Sequence, residues 1–271
     1  MYPELSAYKT NGFYIAKGLL DSKLVAQTLN SFNKTLTDQL TVLSRPETVN
    51  DTFQGLKKLH QLDIDRYIKV VGALWRKEAV YRLLHHADIT NFIIDTFGWQ
   101  ELFVPGGQVV HIMAHELKIP NGYFGLVPHQ DFPSVQGSLD GVVVWLPLVS
   151  VDKDNFPLEV IPGSHRLGLG PMSRKGNSTW EVDSQWYDEN QFMPVEVEVG
   201  DVVFMSMFTL HRSSINGADG RYRIAVSTRF DNADEPTFID RAYPSAYVRS
   251  VHREQYVEGF PTPELVARIF S

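Results

Sequence analysis

ELFVPGGQVVHIMAHEL, residues 101–117, is where the apolar spacing of this chain changes from the three-and-four of helices to the two of strands. Downstream, DGVVVWLPLVS (140–150), FPLEVIPGSH (156–165), MPVEVEVGDVVFMSM (193–207) and RYRIAVSTRF (221–230) are short apolar or alternating runs divided by Gly, Pro, Asn and Asp. That is the pattern of many short strands joined by turns. Upstream, Asp21-Ser22 reads as a helix N-cap, followed by Val25, Leu29, Phe32, Leu36 and Leu40 at helical spacing. Residues 76–98 continue in that character through Val80, Leu83, Leu84, Phe92, Ile93 and Phe97, and TVLSRPETVNDTFQG (41–55) reads as a long loop.

Helices first and strands afterwards predict a mainly β protein with packed α-helices, its core a sandwich or closed jelly roll. We expect one domain over residues 1–271. Residues 1–100 supply helical support and a lid, 101–232 the jelly-roll core and 233–271 a C-terminal extension. Loops 43–60 and 168–190 are the expected carriers of specificity.

Composition removes several functions. The 271 residues include no cysteine, which excludes disulfides, thiolate ligands and a cysteine nucleophile, and which suits a reducing compartment. A formal net charge of −7, with basic residues no denser than Lys57-Lys58, offers no face for a phosphate backbone, so nucleic acid is not an expected partner. No apolar run approaches membrane-spanning length, and MYPELSAYKTNGFYIAKG (1–18) lacks a secretory signal pattern, so the expected location is cytoplasmic and the expected partner a small molecule.

Chemistry enters with VPHQDFPS (127–134). His129 and Asp131 are one strand repeat apart and would share a face. Alone, such a pair is more often an exposed polar loop, because so short a pattern arises by chance. GDVVFMSMFTLHRSS (200–214) then opens on a Gly-Asp turn and reaches His211, 80 residues beyond Asp131 and far enough for the chain to return to one barrel end. Two imidazoles and a carboxylate with open positions opposite suit non-haem Fe(II), with zinc as the competing metal.

PHQD, VIPGSHRLG (160–168) and LHRSSINGADGRYRIAVS (210–227) together resemble the phytanoyl-CoA dioxygenase family of Fe(II)/2-oxoglutarate oxygenases. The resemblance implies a double-stranded β-helix (jelly-roll, cupin-like) core behind a helical N-terminal half. It implies Fe(II) held by His129, Asp131 and His211, with 2-oxoglutarate and O2 as cosubstrates and a strand arginine for the 2-oxoglutarate. It also implies hydroxylation rather than halogenation, because related halogenases have Gly or Ala where this chain has Asp131. Two departures stand out. The family's Asn-Gly-x-Leu is Asn155-Phe156-Pro157-Leu158, and the turn after His211 is about one residue longer.

Strand parity selects the arginine. Arg223, Ala225, Ser227 and Arg229 share a small, polar face suited to a lumen, while Tyr222, Ile224, Val226, Thr228 and Phe230 share a bulky one. Arg223 is therefore the candidate for the distal carboxylate of 2-oxoglutarate, with Arg221 in the turn as runner-up. Ser213, two residues beyond His211, can donate to the same carboxylate. His111, Met113 and His115 share a face of the preceding strand. The two histidines either bond 2-oxoglutarate or are satisfied by neighbouring backbone. Gln130, Phe132, Met113 and Trp145 are candidate substrate contacts, Trp145 equally a core residue. His165 is a fourth ligand or, more in keeping with a complete triad, part of a turn.

The function expected is hydroxylation of an unactivated C–H of a small metabolite, with release of succinate and CO2. No Lys/Arg cluster marks a CoA phosphate site. Desaturation, cyclisation or epimerisation on the same centre are alternatives. A metal-dependent hydrolase or isomerase on a cupin-like barrel would not need an anion-binding arginine, and a non-catalytic binding barrel would not need the triad.

Overall fold

Two antiparallel sheets pack face to face, and a layer of helices covers the outer face of the larger one. This computed structural model describes residues 3–237 apart from 105–106, 121, 123 and 175–179. Most of the expected C-terminal extension, and part of loop 168–190, lie outside the described residues.

The helices are α1 (Pro3–Asn11), α2 (Ser22–Val42), α3 (Thr52–Leu62), α4 (Ile64–Val71), α5 (Glu78–Leu84), α6 (Ala87–Phe97) and the short α7 (Phe132–Val135). The strands are β1 (Phe13–Ala16), β2 (Leu102–Phe103), β3 (Val109–Met113), β4 (Leu126–His129), β5 (Val142–Pro147) and β6 (Leu158–Val160). They continue with β7 (Met172–Arg174), β8 (Trp180–Val182), β9 (Met193–Val195), β10 (Val202–Ser206), β11 (His211–Ser213) and β12 (Arg223–Asn232). The larger sheet runs β1-β10-β5-β12-β2, with β3 also on β12; the smaller runs β4-β11-β6-β9, and β7 and β8 form a separate hairpin. No helix among the described residues is long and apolar enough to cross a membrane.

The period-two pattern sorts side chains into two cores. Val142, Val144, Leu146, Val202, Phe204, Ile224, Val226 and Phe230 meet the helices through Phe32, Leu36, Leu56, Leu84 and Ile93. Their alternates Val143, Trp145, Val203, Met205 and Ala225 face Leu158, Val160 and Val195 of the smaller sheet. Both faces of β5 and β10 are thus buried, which is why VVVWLP and VVFMS read as unbroken apolar runs.

The N-cap at Asp21 forms as the sequence predicts, its carboxylate accepting from Lys23 N–H at 2.8 Å. Two expectations for the first hundred residues are corrected. FYIA is a strand, β1, added to the larger sheet beside β10. Asp201 at the start of β10 fixes that join, accepting from Gly18 N–H at 2.8 Å and pairing with Lys17 at 2.7 Å. The loop expected over 41–55 is shorter, because α2 runs to Val42 and Asp51 caps α3 by accepting from Gln54 N–H at 3.0 Å. Val49, Phe53, Leu56 and Leu59 are buried in the helical core, while Ser44 to Thr48 are exposed.

Candidate metal centre

β4 and β11 are neighbours, and their pairing sets His129 opposite His211. The strand stops at His129, and Pro133 favours the turn into α7, leaving Asp131 in helical backbone (φ −76°, ψ −27°). The turn into α7, not a strand repeat, therefore brings Asp131 beside His129. His129, Asp131 and His211 are all buried, with one ligating atom of each within 4.8 Å of the others. Asp131 Oδ1 lies 3.6 Å from His129 Nε2 and 4.0 Å from His211 Nε2, too far for hydrogen bonds and suited to a shared cation.

Each imidazole is set in its tautomer by the backbone. His129 Nδ1 lies 2.7 Å from Val127 O, and His211 Nδ1 lies 2.9 Å from Thr209 O. A carbonyl only accepts, so both Nδ1 atoms carry the proton and both Nε2 lone pairs are available to a metal. Burial, reinforced by the facing His211, lowers His129 to about 3, and burial lowers His211 as well. Burial alone would raise the Asp131 acid. The Arg229 guanidinium and the two imidazoles outweigh it and hold the group well below the usual carboxylate range. Two neutral imidazoles and one carboxylate are the donor set of a non-haem Fe(II) site.

Arg229 is the residue that sequence reasoning missed. Its Nη2 and Nε donate to Asp131 Oδ2 at 2.8 and 3.0 Å, and its Nη1 donates to Ser227 Oγ at 3.2 Å. The signal was present: parity set Arg229 on the lumen face, and a buried cation there requires an anion, which Asp131 supplies.

Arg223, 0% exposed, lies on the same face of β12. Nη2 donates to Ser213 Oγ at 2.9 Å and Nη1 to the Phe156 carbonyl. The two departures from the family pattern meet at this carbonyl. Phe156 adopts the left-handed backbone of the glycine it replaces (φ 59°), and its ring lies against Gly217 in the lengthened turn, where a Cβ would come within 2.4 Å of it. The turn and the Phe156 loop are thus fitted to each other, and the arginine retains its brace. Arg221 instead pairs with Asp152 at the surface, about half exposed.

The remaining candidates divide. His111 is buried opposite Ala225, with Nε2 3.0 Å from Ser227 Oγ, and burial together with Arg223 and Arg229 keeps it neutral. Met113 pairs with Arg223 in the strand register, and Trp145 is buried in the intersheet core opposite Ser227. Phe132 stacks on Phe208 at 4.7 Å. His115 departs from expectation: β3 ends at Met113, and His115 sits in a 3-10 turn with Nε2 donating to Gly217 O at 2.9 Å, which is its backbone-satisfied reading. His165 likewise tethers the Gly163 turn to α1, donating to Lys9 O at 3.1 Å.

Gln130 is corrected from substrate contact to brace. It is 0% exposed, donates to Gly168 O at 2.8 Å and Phe208 O at 2.6 Å, and accepts from Gly170 N–H at 2.9 Å. Gln130→Met would remove all three bonds and leave the buried Gly170 N–H unsatisfied, at about 1–3 kcal/mol. We expect a fall of several degrees in the unfolding midpoint by calorimetry (about 2–4 °C per kcal/mol); an unchanged midpoint would remove the brace.

Comparison with known proteins gives the family and the fold. A sequence profile of the phytanoyl-CoA dioxygenase (PhyH) family matches residues 8–225. The dioxygenase lolE1 of Epichloe uncinata is 26% identical over 188 residues, covering 68% of this chain and 70% of that one. The peroxisomal phytanoyl-CoA dioxygenase of Bos taurus is 24% identical over 241 residues, covering 84% and 67%. Among solved structures, the epimerase SnoN in complex with Fe3+, alpha ketoglutarate and nogalamycin RO shares the fold with a TM-score of 0.55, at 19% identity over 85% of this chain and 82% of that one. With four-fifths of its length under one family profile, this chain belongs to the phytanoyl-CoA dioxygenase (PhyH) family and, with it, to the iron- and 2-oxoglutarate-dependent oxygenases.

Proposed function

We propose that the protein hydroxylates an unactivated C–H of a small organic metabolite, with His129 Nε2, His211 Nε2 and Asp131 as the protein ligands of Fe(II). The observation that carries the reading is a buried His-Asp-His set together with a fully buried arginine bonded to Ser213, two residues beyond His211. Iron with 2-oxoglutarate and O2 supplies the oxidising power, so that one oxygen atom enters the substrate and the other enters succinate as CO2 leaves.

The chain's own residues do the rest. The Val127 and Thr209 carbonyls hold the imidazoles with their lone pairs inward. Arg223 and Ser213 receive the distal carboxylate of 2-oxoglutarate; the guanidinium is already braced by Phe156 O and Ser213 Oγ, so little side-chain freedom is lost on binding. Trp145, Val143 and Met205 keep water from the lumen. His111 is a candidate second donor to 2-oxoglutarate, and Phe132 and Met113 are candidate substrate contacts. A cytoplasmic setting belongs to the same reading and rests on the cysteine-free sequence.

Epimerisation on the same centre is the second reading, favoured by the likeness to SnoN. A hydrolase reading would not need an anion-binding arginine, so Arg223 speaks against it.

Anaerobic addition of 2-oxoglutarate to the Fe(II)-loaded protein should produce a metal-to-ligand charge-transfer band. Admission of O2 with a metabolite library should then release succinate and a product heavier by one oxygen. Absence of the band from iron-loaded protein would refute the proposal, and a product of unchanged mass would move it to epimerisation.

A further inference from the structure

We infer that Arg229 is the positioning residue that makes Asp131 a one-oxygen metal ligand. The inference rests on the triad assignment above and concerns a residue to which that assignment gives no role.

Both hydrogen bonds that join Arg229 to Asp131 end on the same atom, Oδ2, at 2.8 and 3.0 Å. The other oxygen, Oδ1, is the one nearest the imidazole Nε2 atoms, at 3.6 and 4.0 Å. A carboxylate left to itself binds a cation through one oxygen or through both. Here the second oxygen is engaged by a cation of the protein, 9% exposed and fixed in turn by Ser227 Oγ, which also bonds His111 Nε2. Arginine can only donate, so Ser227 Oγ accepts from Nη1 and has its own proton for His111 Nε2. In the row Asp131–Arg229–Ser227–His111 the guanidinium thus donates to both of its neighbours, and β12 carries the two central members. Two guanidinium donors occupy Oδ2 together, where the point charge of a lysine would make a single contact.

The consequence is a count. With Asp131 bound through Oδ1, the three side chains occupy three positions of a six-coordinate ion and leave three for cosubstrate and O2. A chelating Asp131 would leave two, too few for 2-oxoglutarate through two atoms plus an oxygen molecule.

The test loads the enzyme with Mn(II) alone and measures water-proton relaxivity, which counts exchangeable waters on the ion and requires no turnover. Arg229→Met should still bind Mn(II), with relaxivity per bound ion lower by about one third, as three open positions become two. If Arg229→Met does not fold, Arg229→Lys keeps the charge but makes a point contact, and its relaxivity should also fall below wild type. Relaxivity equal to wild type in whichever variant folds would overturn the inference, because loss of a merely structural ion pair changes stability but not the water count. Failure of the wild type itself to bind Mn(II) would sink the metal centre, and this inference with it.

Discussion

Replacing Arg223 with alanine should weaken 2-oxoglutarate binding by roughly thirty-fold to several-thousand-fold, which is what about 2–5 kcal/mol for an unpaired buried charge amounts to. Arg223 is fully buried, so a carboxylate bound to it would also be removed from water. No bulk solvent replaces the lost partner, and alanine also leaves Ser213 Oγ and the Phe156 carbonyl without their present donor. Iron binding should survive, since the guanidinium is not a ligand. Arg221→Ala is the control: its half-exposed pair with Asp152 is worth under about 1 kcal/mol, and 2-oxoglutarate affinity should not change. Anaerobic titration following the charge-transfer band reads all three proteins. Severe weakening in Arg221→Ala with none in Arg223→Ala would place the anion site in the turn.

His211→Ala should strip the bound iron. Loss of an outer partner of a ligand typically costs about 10–100-fold in metal affinity, and loss of one of three ligands should cost more. The fold should persist, because alanine keeps the main-chain pairing of β11 with β4 and β6 and loses the side-chain hydrogen bond to Thr209 O and the ring contact with His129. Metal analysis of anaerobically reconstituted protein, with circular dichroism as the folding control, checks both halves. Iron content equal to wild type in a folded variant would remove His211 from the ligand set.

Most of the jelly-roll core was legible because strands buried on one side alternate and strands buried on both sides do not. The parity of β12 is the clearest case: Ile224, Val226 and Phe230 go to the helices and Ala225 to the intersheet core. β1 was hidden because four residues are too few for a period to register, and because its partner, β10, is nearly two hundred residues away. His115 was misread by extending an alternation one residue past Ala114, where the backbone leaves the strand. Gln130 was misread because adjacency to two ligands says nothing about where an amide points; its bonds go to residues 168, 170 and 208, which no local pattern reveals. Arg229 differs from these, since its face was read correctly and only the question of its counter-ion went unasked.

The central position of β12 has a kinetic consequence. Its partners β2, β3 and β5 are all made long before it, and Arg229 follows Asp131 by 98 residues. At about 5–20 residues per second of synthesis, the buried carboxylate waits roughly 5–20 s for its guanidinium. Until then Asp131 must remain hydrated, so the lumen cannot close early. Contacts of such long range make closure slow and late. The larger sheet and the charge balance around Asp131 are therefore completed in the same event.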